Sequence, residues 1–333
     1  MTDDLAMARL ALSAALADGD SGLAYRLVLE LMDQGVPMVT IADEVLAPIQ
    51  WQTGQRWASG DVTISEEHAS TAAIETLIAM LGGAFDQPVD APVVVVACAE
   101  GDTHTLPARM AGALLAYEGF RTVFLGTSVP ADDLEGYLRA VDADALVLSC
   151  TRSANLLGAR ACVAAAHRAG VPVVVGGRSF GTDEHVWRAL GADAHVARLS
   201  QLTELVSTWQ PDPIGSERAA TPLSAEVEAL VAERASAAAH LRTSLTDSFD
   251  PQTPAGKLLA ASAEELVDTL AAALYLDDVS LLRDHAAWIS KLIEQRGGAS
   301  VTPSLLLGAL ADAARRPAPA AAALAEAANA PTT

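Results

Sequence analysis

Two periodicities divide the chain. From residue 3 to residue 83, apolar positions recur every three to four residues in four runs, at about 3–18, 21–35, 38–58 and 64–82. That spacing predicts amphipathic helices. Gly19, Gly35-Val36-Pro37 and Gly60-Asp61 punctuate them, as residues that stop a helix do. Ser65, followed by Glu66 and Glu67, predicts the start of the fourth helix, with acidic charge at its positive dipole end. Short connections make antiparallel neighbours, so residues 1–85 read as a four-helix bundle.

After a linker at 84–91 the pattern changes. Short, continuous apolar runs lie at about 93–98, 121–125, 145–149, 171–175 and 194–196. Their length and Val content predict strands buried on both faces. Helical patterns at about 107–118, 130–140, 153–169, 182–190 and 200–209 separate them. Alternation of this kind predicts a doubly wound parallel sheet over residues 92–210, and five strands suit the flavodoxin-like order 2-1-3-4-5. A second linker covers 210–221. Helical runs then follow at about 223–246, 262–276, 278–296 and 302–315 with no strand-like run, so residues 222–316 read as an all-α domain. The Ala/Pro-rich stretch 317–333 reads as a weak helix fraying into a tail. The fold class expected is mainly α with an α/β centre.

Composition narrows the function. The net charge is −21, and residues 1–90 hold 3 Arg, no Lys and 14 Asp or Glu. Phosphate contacts need clustered Lys and Arg, so direct nucleic-acid binding by this chain is not expected. No run of eighteen apolar residues predicts a membrane span, and the acidic N-terminus lacks the layout of a secretory signal. Cys98, Cys150 and Cys162 make an odd count without framework spacing, the usage of reduced, packed thiols in a cytoplasmic protein. No catalytic dyad or nucleophile stands out, so the chain reads as non-enzymatic.

The candidate chemistry sits where the first strand ends, in Ala-Glu-Gly-Asp102-Thr-His104-Thr-Leu-Pro107. In an open parallel sheet, ligands bind outside the carboxyl ends of the strands. Asp102 can accept a hydrogen bond from one ring nitrogen of His104 and leave the other as a lone-pair donor to a metal. A solvated loop with an incidental His satisfies the same spacing.

Asp102-Thr-His104, Ser149 at the end of the third strand and Gly176-Gly177 after the fourth together resemble the cobalamin-binding domain of methionine synthase, corrinoid methyl carriers and light-sensing cobalamin repressors. Val-Phe-Leu-Gly126-Thr-Ser-Val-Pro130 looks like that family's second strand-to-helix turn. The resemblance implies that His104 is the lower axial cobalt ligand. It also implies that the displaced base of the cofactor enters a slot beside Ser149, Gly176 and Gly177. Pro107 stands where the family has Gly; it suits a first helical turn but adds bulk.

In the bundle, Trp57, nine residues and then Glu67-His68 resemble the Trp-x9-Glu-His motif of the cobalamin photoreceptors. That resemblance implies a helical cap over the upper face of the cofactor. The repressors have a His directly after the Trp; here the position is Ala58. The all-α domain, through Tyr275–Ile289 and Leu292–Gly297, looks like a reduced globin-like sensor domain. The whole arrangement is similar to the photocobilins, which implies adenosylcobalamin and biliverdin as cofactors. A thioether-linked bilin there is excluded, since no Cys follows Cys162. His240 and His285 are the candidate bilin contacts, with Arg234, Arg242 and Arg283 as carboxylate partners. The implied protein is a light sensor and a light-dependent homo-oligomer with an unknown downstream protein. A corrinoid methyl carrier, a haem or oxygen sensor using His285 and a cobalamin store are the rival readings.

Overall fold

The structure is a computed structural model that describes residues 2–83, 88–182, 184–208, 220–245, 250–297 and 301–330. Five parallel strands form one sheet: β1 (Val93–Cys98), β2 (Arg121–Gly126), β3 (Ala145–Ser149), β4 (Val173–Gly176) and β5 (Ala194–Val196). Their order is β2-β1-β3-β4-β5, as the sequence pattern predicts. All six residues of β1 are buried, the consequence of helices covering both faces of a parallel sheet. β4 begins two residues later than expected because Pro172 has no N–H for the ladder; its carbonyl still accepts a bond from Leu146 N at 2.9 Å.

Before the sheet come α1 (Thr2–Ala17), α2 (Ser21–Asp33), α3 (Met38–Ile41), a π-helical turn (Ala42–Leu46), α4 (Ala47–Ala58) and α5 (Ile64–Gly82). The run expected as one helix over 38–58 is thus interrupted by one wide turn. α5 is capped by Thr63, not Ser65. The Thr63 hydroxyl accepts from Glu66 N at 3.2 Å while Glu66 accepts from Thr63 N at 2.7 Å, a reciprocal capping box.

The helices within the sheet domain are α6 (Thr105–Tyr117), α7 (Ala131–Ala140), α8 (Leu156–Ala169), α9 (Glu184–Ala189) and α10 (Leu199–Thr208). Residues 1–57, 61–151 and 158–220 form one compact unit. A shared core explains why the N-terminal helices and the sheet domain fall together. Leu12, Ile41, Leu46, Ile74 and Leu77 pack in one cluster with Leu106, Met110 and Leu114 of α6. Polar contacts add to it: Asp43 of the wide turn accepts from Leu199 N and Ser200 N, both at 3.1 Å, capping α10. Arg198 pairs with Asp43 and Glu44 beside that cap.

The second unit comprises residues 58–60, 152–157 and 221–333. Its helices are α11 (Ala225–Ala232), α12 (Arg234–Ser244), α13 (Pro254–Leu276), α14 (Val279–Glu294), α15 (Pro303–Ala314) and α16 (Pro319–Asn329). The helix expected over 223–246 breaks at Glu233. The helix expected from 262 begins at Pro254, where Thr253 caps Gly256 N at 3.1 Å. The stretch expected to fray is α16: Ala318, Ala321, Ala322, Ala325 and Ala328 are buried in the same core as Leu306 and Leu310 of α15. Small side chains allow that close packing, so an alanine-rich face is a core face here.

Candidate cofactor site

The loop after β1 is built around the Asp102 carboxylate, which is completely buried. Oδ1 accepts from His104 N at 2.9 Å and faces His104 Nδ1 at 2.8 Å. Oδ2 accepts from the main-chain N–H of Thr151, which follows β3. Burial pushes the Asp102 carboxyl up, but the bonds from the His104 ring, His104 N and Thr151 N outweigh it and hold it below the ordinary carboxylate range. His104 is the N-cap residue of α6, yet its side chain does not cap. The ring is turned onto Asp102 instead, with 43% of the side chain exposed. A proton held on Nδ1 by the carboxylate leaves Nε2 as the lone-pair nitrogen, the tautomer of a metal-binding histidine. Pro107, the third residue of α6, costs no helical hydrogen bond because first-turn N–H groups have no intrahelical acceptor.

Parallel pairing sets Cys98 beside Ser149 and Ser149 beside Gly176. The motif positions on three strands therefore meet at one end of the sheet, next to the dyad. Ser149 Oγ and Thr151 Oγ1 are buried and find no hydrogen-bond partner among the described residues. Buried hydroxyls are usually satisfied, so these unmet groups beside the dyad suit a polar part of a bound molecule. Gly177 has φ +109°, and a Cβ there would lie 2.3 Å from Cys150 O. The neighbouring strand-end backbone itself demands glycine at that position. Gly176 is less constrained, its nearest neighbour being Val196 O at 3.3 Å.

Sequence reasoning missed Gly158, where a Cβ would meet Glu100 O at 2.2 Å. This glycine seats α8 against the 99–102 loop. An isolated Gly inside a helical pattern was the available signal. Thr105 Oγ1, next to His104, donates to Glu75 of α5, and Arg109 Nε lies 3.7 Å from the same carboxylate oxygen. These contacts tie α5 to the start of α6.

Trp57 is half-buried near the end of α4, Glu67 lies in the first turn of α5 and His68 directly follows it. Glu67 Oε2 faces His68 Nδ1 at 2.6 Å. Glu67 Oε1 accepts from Thr71 Oγ1 at 2.8 Å and from Gln50 Nε2 at 3.4 Å. Gln50, which the sequence did not single out, also donates to Thr71 Oγ1 at 2.8 Å. The structure thus joins Glu67 and His68 in a second carboxylate–imidazole pair, held from behind by two further side chains.

In the helical unit His240 is exposed on α12. His285 is buried on α14, its ring 5.9 Å from Trp288. Its Nε2 stands 3.7 Å from Glu265 Oε1, beyond hydrogen-bond distance. Burial, aided by the Arg152 charge, pushes its pKa down to about 3. Arg152 pairs with Glu265 and lies 5.0 Å over the Trp288 ring. Arg234, a candidate carboxylate partner, is already engaged by Asp268 through Nε and Nη2 and by Glu264 through Nη1. Arg283 Nε donates to Ala328 O at 3.2 Å.

Among the described residues no cluster of three His, Cys, Asp or Glu is arranged to hold a metal ion. One imidazole beside unmet hydroxyls instead suits a metal that arrives inside an organic macrocycle. Residues 92–243 match a family model described as B12 binding domain, and residues 9–81 match a second one described in the same words. The two domain matches, on a fold that suits them, support a cobalamin-binding protein. Its relatives include the HTH-type transcriptional repressors CarA and CarH of Myxococcus xanthus. CarA is 30% identical over 50% of this chain and 56% of its own length; CarH is 29% identical over 49% and 55%. The chain spans about half the length of these two relatives. It is also 22% identical to corrinoid protein DSY3155 of Desulfitobacterium hafniense, over 59% of this chain and 94% of that protein. No helix among the described residues is long and apolar enough to cross a membrane.

Proposed function

We propose that the chain is a light sensor that binds adenosylcobalamin with His104 as the lower cobalt ligand. The observation that carries this reading is the buried Asp102 carboxylate holding His104 Nδ1 at 2.8 Å, at the carboxyl end of β1. Bound there, the cofactor supplies a cobalt–carbon bond that light can break. Trp57, Glu67 and His68, the residues that match the photoreceptor motif, line its upper side. Ser149, Gly176 and Gly177 frame the slot for its tail. Loss of its upper group would change what Trp57 packs against, and the N-terminal helices and subunit contacts would respond. No catalytic step is assigned to the chain.

Biliverdin is the second chromophore in this reading, held without a thioether in a globin-like C-terminal domain. The support is His285, a buried imidazole whose Nε2 has no hydrogen-bond partner, beside Trp288. His240, exposed on α12, is the second imidazole assigned to the bilin. A downstream protein receives the signal. The alternative is a corrinoid methyl carrier, favoured by the match that covers 94% of DSY3155.

The test is to purify the chain with adenosylcobalamin and biliverdin and record spectra and oligomeric state before and after green and red illumination. A light-dependent change in both supports the sensor. Uptake of cobalamin with neither changing overturns it. Demethylation of bound methylcobalamin by a methyltransferase partner establishes the carrier.

A further inference from the structure

We infer that Ser128 is a positioning residue for the His104 ligand, bracing Asp102 from its main-chain side. The inference rests on the cobalamin reading above. Among the described residues, three besides glycines have a positive φ: Ser128 at 45°, Asp142 at 53° and Asp277 at 51°. Asp277 caps the end of α13, and Asp142 stands directly after the cap residue of α7. A left-handed residue is ordinary at a helix end, and Asp tolerates it. Ser128 ends no helix. It lies in the turn between β2 and α7, where a serine rarely adopts that conformation. Such strain persists where the surroundings over-determine it, often at a functional site.

The surroundings here are the loop of the dyad. Ser128 N donates to Asp102 O at 2.9 Å, and Ser128 Oγ accepts from Gly101 N at 3.0 Å. The left-handed turn thus brings two groups of one residue onto successive residues of that loop. Asp102 is then held from two sides. Its carboxylate is bonded by His104 and by Thr151 N after β3, while its carbonyl is bonded by the turn after β2. The first grip aims the His104 ring. The second keeps in place the backbone that carries the carboxylate. Gly101 has φ +87° and is the most pliable neighbour of Asp102; the Ser128 hydroxyl takes up its N–H. Ser128 makes no hydrogen bond to the His104 ring and acts on it through Asp102.

The test titrates the full chain with hydroxocobalamin in the dark and compares affinities. Ser128→Ala and Ser128→Gly are expected to bind about tenfold more weakly than the parent, the effect of losing an outer partner of a metal histidine. Glycine relieves the φ but lacks the hydroxyl, so it separates the bond from the strain. Ser128→Asn suits a left-handed turn and supplies an acceptor oxygen, and is expected to stay within about threefold of the parent. In a His104→Ala background no ligand is left to position, so adding Ser128→Ala should change affinity by less than about twofold. The inference is overturned if Ser128→Ala or Ser128→Gly binds as the parent does, or if Ser128→Asn is no better than Ser128→Ala. It is equally overturned if Ser128→Ala costs as much without His104 as with it. A parent that takes up no hydroxocobalamin, or loses no affinity in His104→Ala, is a different result, since it removes the cobalamin reading itself.

Discussion

The molecule carries the same carboxylate–imidazole pair in two settings. Asp102 is completely buried and receives three hydrogen bonds from its own loop and from the strand beside it. Glu67 sits at the start of a helix, holds a ring that is 71% exposed and is itself held by two neighbouring side chains. A buried carboxylate cannot lose its partners without a large desolvation cost; Glu67 is itself only 16% exposed, and it is the His68 ring that lies in solvent. The pair after β1 is therefore part of the fold. The pair on α5 joins a partly buried carboxylate to a solvent-exposed ring. The two pairs thus differ most in the exposure of the imidazole, 43% for His104 and 71% for His68.

Four changes probe that contrast, in falling order of effect. Gly177→Ala forces a Cβ against Cys150 O at 2.3 Å with φ at +109°. Thermal unfolding is expected to show a loss of about 4 kcal/mol, because backbone cannot move aside cheaply. Asp102→Ala strands two main-chain N–H groups and the His104 ring, and should cost about 3 kcal/mol. A loss below about 1 kcal/mol would show that the first pair is no more structural than the second. His285 is a buried imidazole without a bonded carboxylate and serves as the control. Its pKa is pushed down to about 3 from an ordinary 6.5. Below pH 6.5 the unfolded chain binds a proton that the folded chain refuses, so its contribution weakens stability as pH falls from 6.5 towards 3. Comparing the parent with His285→Leu over pH 6 to 4 should reveal a slope difference of about 1.4 kcal/mol per pH unit; parallel curves would contradict the burial argument. Glu67→Ala should cost about 1 kcal/mol, since it removes the hydrogen bonds from Thr71 and Gln50 and leaves the exposed His68 ring in water.

The sheet was legible because Val-rich runs closed by Gly, Asp and Pro have few other ways to fold, and β1, β3 and β5 have the predicted bounds. The dyad was legible because both members lie within three residues. What escaped needed a third dimension. Gln50 is 17 residues from Glu67 in sequence, and Gly158 matters only because the 99–102 loop lies against it. The helix of α16 was legible but its burial was not, because alanine and proline give the composition of a frayed tail, while α15 supplies the apolar face that packs on it. Burial was equally invisible for His285 and His240: both lie in helical patterns, yet the His285 side chain is 9% exposed and His240 lies on the surface. Arg234 could not be told from a free cation without seeing Asp268 and Glu264.

The central claim is that His104 Nε2 holds the cobalt. Electron paramagnetic resonance of the chain loaded with cob(II)alamin, prepared with 14N- and with 15N-histidine, tests it most directly. With His104 Nε2 on the cobalt, nitrogen superhyperfine splitting is expected to change from a triplet to a doublet with the label and to disappear in His104→Ala. A pattern that ignores the histidine label, or survives the loss of His104, would contradict it.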